Sequence, residues 1–175
     1  MEAQKSAFST ALKYAIITAL AMFIFSIVLY ITNMYLNQTL NWLSWVIMLA
    51  GLIFAVKDRR DKDLGGFITF GEGFKTGFIF CLLTGAMGAV FSFIMMNFIA
   101  PDMLGEILKK AETDMINKGL PDDQIKVAME WTRKFTTPIM IAVWSIVGSA
   151  FFGAILSLIV AAIFKKENQQ LQQPQ

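Results

Sequence analysis

Glu72 and Lys75 are the side chains best placed for chemistry. They are an acid and a base one helical turn apart at the head of an apolar stretch. Just upstream lies the densest run of charge in the chain, Lys57-Asp58-Arg59-Arg60-Asp61-Lys62-Asp63. Arg59, Arg60, Lys62 and Lys75 are the candidate contacts for an anionic lipid headgroup. Cations beside a membrane attract phosphate, and backbone N–H groups at a helix start assist. The plainer reading makes the cations ordinary cytoplasmic anchors and Glu72 a solvated acid at a helix start.

The remaining candidates for catalysis are thin. The chain has no histidine, so the commonest general base and transition-metal ligand are missing. Cys81 is the single cysteine and lies within an apolar run, where it reads as a small packing residue. Asp122-Asp123 follow Pro121 and read as first-turn acids of a helix rather than metal ligands. Gly65, Gly66, Gly71 and Gly73 lack the spacing and the Lys-Ser/Thr of a phosphate loop. Asn37-Gln38-Thr39 matches the glycosylation tripeptide, which polar loops carry by chance. No catalytic residue, cofactor or metal site is assigned.

Charge stops at Asp63. Gly65-Gly66 and then Phe67, Phe70, Phe74 and Phe78 follow at helical spacing. The glycine pair tolerates the positive φ that a turn back into a membrane needs. The candidate re-entry turn comprises Gly65, Gly66, Phe67, Phe70, Gly71 and Glu72. The phenylalanines are expected in the interface, with Thr69, Glu72, Lys75 and Thr76 facing headgroups or water.

Composition explains why a membrane enters the argument. The 175 residues are 56% hydrophobic and only 16% charged. Soluble domains run near ~45–50% and ~25%. A net charge of +2 is too small to suggest nucleic acid. Tyr14 to Ile31 carries no charge, and at ~1.5 Å per residue it reaches about 27 Å, close to the hydrocarbon thickness. It is long for a signal peptide and lacks a cleavage site after it, so it is expected to be retained. Four spans are predicted, at about 10–33, 41–57, 76–99 and 138–164.

The third and fourth spans are dense in small residues. Gly77, Cys81, Gly85 and Ala89 recur every four residues, as do Ser145, Ser149, Gly153, Ser157 and Ala161. Such stripes let helix backbones approach in lipid, so these two spans are expected to pack through them; a homodimer seam is the alternative. Ala7, Ala11, Ala15 and Ala19 form a similar stripe on the first span.

Residues 101–136 read as an amphipathic helical hairpin broken at Gly119 and Pro121. Ile125, Ala128, Met129, Thr132 and Phe135 make the less polar face of its second helix, expected to lie on the membrane or the bundle. Glu106–Lys110 and Glu130–Lys134 are favourably oriented i, i+4 pairs. The expected fold is therefore all-α: a single membrane domain over 1–166, a four-helix transmembrane bundle with an extracytoplasmic hairpin between spans three and four. The tail 167–175 has no core-forming pattern and is expected to be disordered.

Lys/Arg bias sets the orientation. Basic residues precede span one, crowd between spans two and three, and follow span four as Lys165 and Lys166, while the first connection has none. Both termini are expected in the cytoplasm. Trp42, Trp45, Trp131 and Trp144 then gather near the outer boundary as an aromatic belt.

The run RRDKDLGGFITFGEGFKTG after two spans, GLPDDQI within the hairpin, and LSLIVAAIFKK at the end of the last span resemble the domain-of-unknown-function 4199 family. Arg60 to Phe67 and Phe70-Gly71 are the most specific part. The resemblance implies small bacterial four-helix inner-membrane proteins without an assigned activity. It also points to an accessory role beside a membrane glycosyltransferase.

The spans hold no Asp, Glu, Lys, Arg or His between their interfacial ends and no mid-span proline, which argues against a pump or proton-coupled carrier acting alone. The leading expectation is a non-enzymatic structural or accessory subunit of an envelope complex. Its partners are the lipid bilayer and another copy or another membrane protein. An oligomeric protein translocating lipid or a small molecule is the alternative. A tag fused after Gln175 is expected to be reachable by an impermeant protease only from the cytoplasmic side; cleavage in intact cells would reverse the topology.

Overall fold

A computed structural model of the chain describes residues 6–166; the tail 167–175 expected to be disordered lies outside the described residues. These contain six α-helices: α1 (Ala7–Ile31), α2 (Gln38–Asp58), α3 (Phe70–Ile94), α4 (Met103–Asn117), α5 (Asp122–Phe135) and α6 (Pro138–Phe164). Two of them run on through a π-helical turn, α2 through Arg59–Asp63 and α3 through Met95–Ile99. Four segments are long and apolar enough to cross a membrane: α1, α2 and α3 with their extensions, and α6, of 25, 26, 30 and 27 residues. At ~1.5 Å per residue all exceed the ~30 Å of hydrocarbon.

Local chemistry sets the helix ends. Ser6 Oγ accepts from the Ser9 N–H at 3.2 Å and starts α1. Asn37 Oδ1 accepts from the N–H groups of Thr39 and Leu40 at 3.0 and 3.4 Å and starts α2, so the first residue of the glycosylation-like tripeptide is a helix cap. Thr69 Oγ1 accepts from the Glu72 N–H at 3.3 Å, which places the start of α3 at Phe70, ahead of the expected 76. Gly65 and Gly66 both adopt positive φ, 67° and 91°.

The chain clusters into two compact units, one running up to Met87 and resuming at Ile146, the other Gly88–Ser145. In the first, the core comprises Ala11 and Ala15 of α1, Met48, Leu52, Ala55 and Val56 of α2, Ile68, Phe80 and Cys81, and Val160 of α6. Ala7 and Ala19 are buried too. The helices meet where side chains are smallest. A Cβ added at Gly51 would strike the Thr18 side chain of α1. One added at Gly77 would lie 2.9 Å from Ser157 Oγ and 3.0 Å from Leu52 Cδ1. At Gly73 it would lie 3.2 Å from the Ala161 Cβ, and at Gly153 it would strike Cys81. Thr76, expected to face headgroups or water, is instead fully buried, its hydroxyl donating to the Glu72 carbonyl at 2.8 Å. It lies one residue before Gly77 on the packed side of α3, and the bond to its own helix removes the cost of burying the hydroxyl.

In the second unit, Gly88 of α3 faces Ser145 of α6, whose Oγ would lie 3.3 Å from an added Cβ. Just past the end of α4, Gly119 adopts φ 72° and the Leu120 N–H returns to the Met115 carbonyl at 3.3 Å. Pro121 then caps α5, with Asp122 and Asp123 in its first turn. Met103, Ile125 and Met129 are buried. Two expected pairings differ in detail. Lys110 reaches Asp114 at 3.1 Å, and the Lys134 ammonium lies over the Trp131 ring at 5.1 Å rather than turning to Glu130. Exposed i, i+4 pairs are worth only tenths of a kcal/mol, so a nearby ring face competes with a carboxylate.

The glycine contacts make a sharp comparison within α6. Gly153→Ala is expected to destabilise the protein by about 1–3 kcal/mol, because neither helix can yield at Cys81. Gly148→Ala, with nothing within 4 Å of the added methyl, is expected to be neutral or slightly stabilising. Thermal denaturation of the two variants in one detergent measures the difference.

Candidate functional site

The charged groups of the first unit gather at one end, where the start of α1, the end of α2, the 64–69 loop, the start of α3 and the end of α6 meet. The π-helical turn organises them. The Leu64 N–H reaches back five residues to the Arg59 carbonyl at 3.1 Å, and the Gly66 N–H reaches Arg60 at 2.8 Å. The widened turn leaves Arg59 pointing inward, only 6% exposed. Its guanidinium lies 3.5 Å from Asp63 Oδ2 and 3.4 Å from Glu72 Oε2. The Thr10 hydroxyl of α1 donates to that same Asp63 oxygen. One buried cation thus ties α2 to α3 directly and to α1 through its carboxylate partner.

A second cluster lies beside the first. The Asp58 carboxylate pairs with Lys13 at 3.6 Å and with Lys62, and the Lys13 ammonium lies 4.9 Å over the Tyr14 ring. The end of α6 is held by three further contacts. Ile68 and Lys166 exchange both backbone hydrogen bonds, each 2.9 Å, as an antiparallel bridge. The Lys166 ammonium lies 5.3 Å over the Phe67 ring, and the Arg60 guanidinium lies 5.5 Å from the Phe164 ring centre. Arg60 also bonds the adjacent Asp61 at 2.6 and 3.2 Å.

The four cations singled out for headgroup contact therefore have different surroundings. Arg59 is interior and held by two carboxylates. Arg60 is shared between Asp61 and Phe164, and Lys62 pairs with Asp58. Lys75 is exposed on α3. In the glycine turn, Phe67 and Phe70 are exposed and Gly71 is open, while Ile68 between them is buried. Glu72, at the position that closes a Thr-x-x-Glu capping box, turns its carboxylate to Arg59. Of the small residues, Gly77, Cys81, Gly153, Ser157 and Ala161 lie at α3–α6 contacts, with Cys81 Sγ 3.9 Å from Ser157 Oγ. Gly85 and Ala89 are buried, and Ser149 bonds the Ile146 carbonyl of its own helix at 2.9 Å.

Sequence reasoning missed Thr10, Lys13, Tyr14, Asp58 and Asp63 as members of the site. One signal was available: Thr10 sits beside Ala11 on the small-residue face of α1, where a hydroxyl needs a partner. Among the described residues, no three of Cys, Asp and Glu converge as metal ligands. Chemically the arrangement is an ion-pair clamp: each carboxylate named here faces a cation or a hydroxyl of the same chain.

A family model described as "Protein of unknown function (DUF4199)" matches residues 13–166, which takes in the whole cluster except Thr10. No curated protein and no solved structure matches the chain.

Removing one partner of a buried pair leaves the other charge uncompensated. Arg59→Gln is expected to cost roughly 3–5 kcal/mol and to lower the unfolding temperature in detergent sharply. Lys75→Gln should leave that temperature unchanged. Equal small effects would show that Arg59 is not a structural clamp.

Proposed function

The chain belongs to the family described as protein of unknown function (DUF4199), and on that footing we propose that it is a non-catalytic bacterial inner-membrane protein, a structural or accessory subunit of an envelope complex. Both termini and the Arg59 cluster face the cytoplasm in this reading, as the distribution of lysine and arginine favours. The observation that carries it is the ion-pair clamp. Arg59, Asp63 and Glu72 are engaged with one another and with Thr10, holding α1, α2 and α3 together, rather than directed at a substrate.

The surroundings of the clamp support the same reading. Ile68 within the Gly65–Lys75 stretch and Thr76 just after it are buried, at 2% and 0% exposure. Arg59, one of the four cations offered for headgroup contact, is withdrawn from the surface. Large apolar side chains on the spans, among them Trp42, Val46, Phe54, Phe151 and Ile163, face outward, where lipid and neighbouring subunits compete for them.

Purification from native membranes in a mild detergent tests the role. The chain is expected to migrate with a membrane partner at a fixed ratio that survives a second detergent exchange and is captured by crosslinking. A monodisperse, partner-free monomer under the same conditions would refute it.

A further inference from the structure

Helix α5 carries more apolar surface than its own unit covers. At ~100° per residue, Val127, Trp131, Phe135, Ile125 and Met129 span roughly 200° of its circumference. Ile125 and Met129, at one side of that arc, are buried. Val127, Trp131 and Phe135, at the other, are 57%, 57% and 47% exposed. The Trp131 and Phe135 rings stack, 6.0 Å apart and 13° from parallel, with the Lys134 ammonium over Trp131.

Chain continuity limits where this stripe can be. Only Thr136 and Thr137 separate Phe135 from Pro138, the first residue of α6. Three Cα steps hold Phe135 within about 11 Å of that residue. The first turns of α6 already expose Ile139, Met140, Val143 and Trp144, the side chains of a segment apolar enough to span a membrane. The stripe therefore begins beside a membrane boundary.

We propose that the Val127–Trp131–Phe135 stripe lies in the lipid interface where α6 enters the membrane, with Phe135 deepest and Val127 shallowest. The residues around it favour lipid over a protein partner. Lysine is depleted from protein–protein interfaces, whereas tryptophan beside a snorkelling lysine suits the headgroup region. Charge along α5 agrees with the tilt. Lys134 stands beside the stripe at the end nearest α6, where a snorkelling ammonium meets lipid phosphates, and Asp122 and Asp123 stand at the far end. The inference is independent of which side of the membrane the hairpin occupies and of the accessory role proposed above.

The full chain carrying Trp42→Phe, Trp45→Phe and Trp144→Phe keeps Trp131 as its sole tryptophan. It is reconstituted in phosphatidylcholine–phosphatidylglycerol vesicles whose acyl chains are brominated. Emission is expected to be blue-shifted from that of tryptophan in water and quenched roughly twofold, as for a side chain at the headgroup–acyl boundary. Moving the tryptophan with Trp131→Phe plus Phe135→Trp should deepen the quenching, and Trp131→Phe plus Val127→Trp should weaken it. Water-like, unquenched emission would overturn the proposal, as would blue-shifted emission without quenching, the signature of a covering protein surface. Equal quenching at all three positions would overturn the tilt. Should the triple-phenylalanine background fail to fold, Trp131→Cys with Cys81→Ala carries a nitroxide. Oxygen is then expected to relax the label more than an aqueous nickel chelate, and the reverse order would overturn the proposal.

Discussion

Helices inside a bilayer gain nothing from leaving lipid for one another, because acyl chains are as apolar as leucine. Cohesion must come from contacts that lipid cannot match, and in this protein it comes first from backbone approach. Gly51 against Thr18, Gly77 against Ser157 and Leu52, Gly73 against Ala161 and Gly153 against Cys81 are positions where even a methyl group crowds its neighbour. Each brings two backbones within dispersion range along a long stretch. Many bulky side chains face outward, and the core around the contacts combines Ala11, Ala15 and Ala55 with larger side chains such as Leu52, Val56, Ile68 and Phe80.

Close packing alone leaves helices free to slide, since a stripe of small residues looks alike every four positions. The polar cluster at one end supplies register. A buried guanidinium tolerates few arrangements of its carboxylates, so Arg59, Asp63 and Glu72 together fix how α2 meets α3, and Thr10 extends the constraint to α1. The Ile68–Lys166 bridge does the same for the end of α6 through backbone hydrogen bonds. The π-helical turn belongs to this device, because it accompanies the inward turn of Arg59 at the end of α2. Chemistry that looks reactive in the sequence serves as a lock.

Particular residues show how far the sequence could be read. Four long runs without charge have one solution in lipid, because unpaired backbone groups are too costly there, so four helices long enough to span and an all-helical fold over the described residues were legible. The hairpin break was legible for a similar local reason: Gly119 can adopt the positive φ that ends a helix, and Pro121 fixes φ and lacks the N–H a continuing helix needs, whatever surrounds them. Thr76 was misread because its polarity says nothing about which neighbour covers it. Lys134 was misread because a carboxylate and a ring compete within tenths of a kcal/mol. The exposed stripe of α5 was legible only in part: Trp131 and Phe135 read as boundary and less polar residues, but periodicity reports the width of an apolar arc, not how much of it is covered, so the joint exposure of Val127, Trp131 and Phe135 was not.

By itself, then, the sequence determined the class of fold, the number of membrane-crossing segments and the residues small enough for helices to touch. These follow from length, charge and side-chain volume, which act locally and need no partner. Only the tertiary structure decided that Arg59 is an interior tie rather than a surface cation, that Thr10 meets Asp63, and that Lys166 pairs with Ile68. Each of those joins positions far apart in the chain, and the energy of a buried charge depends on what stands across from it, which no one-dimensional pattern records.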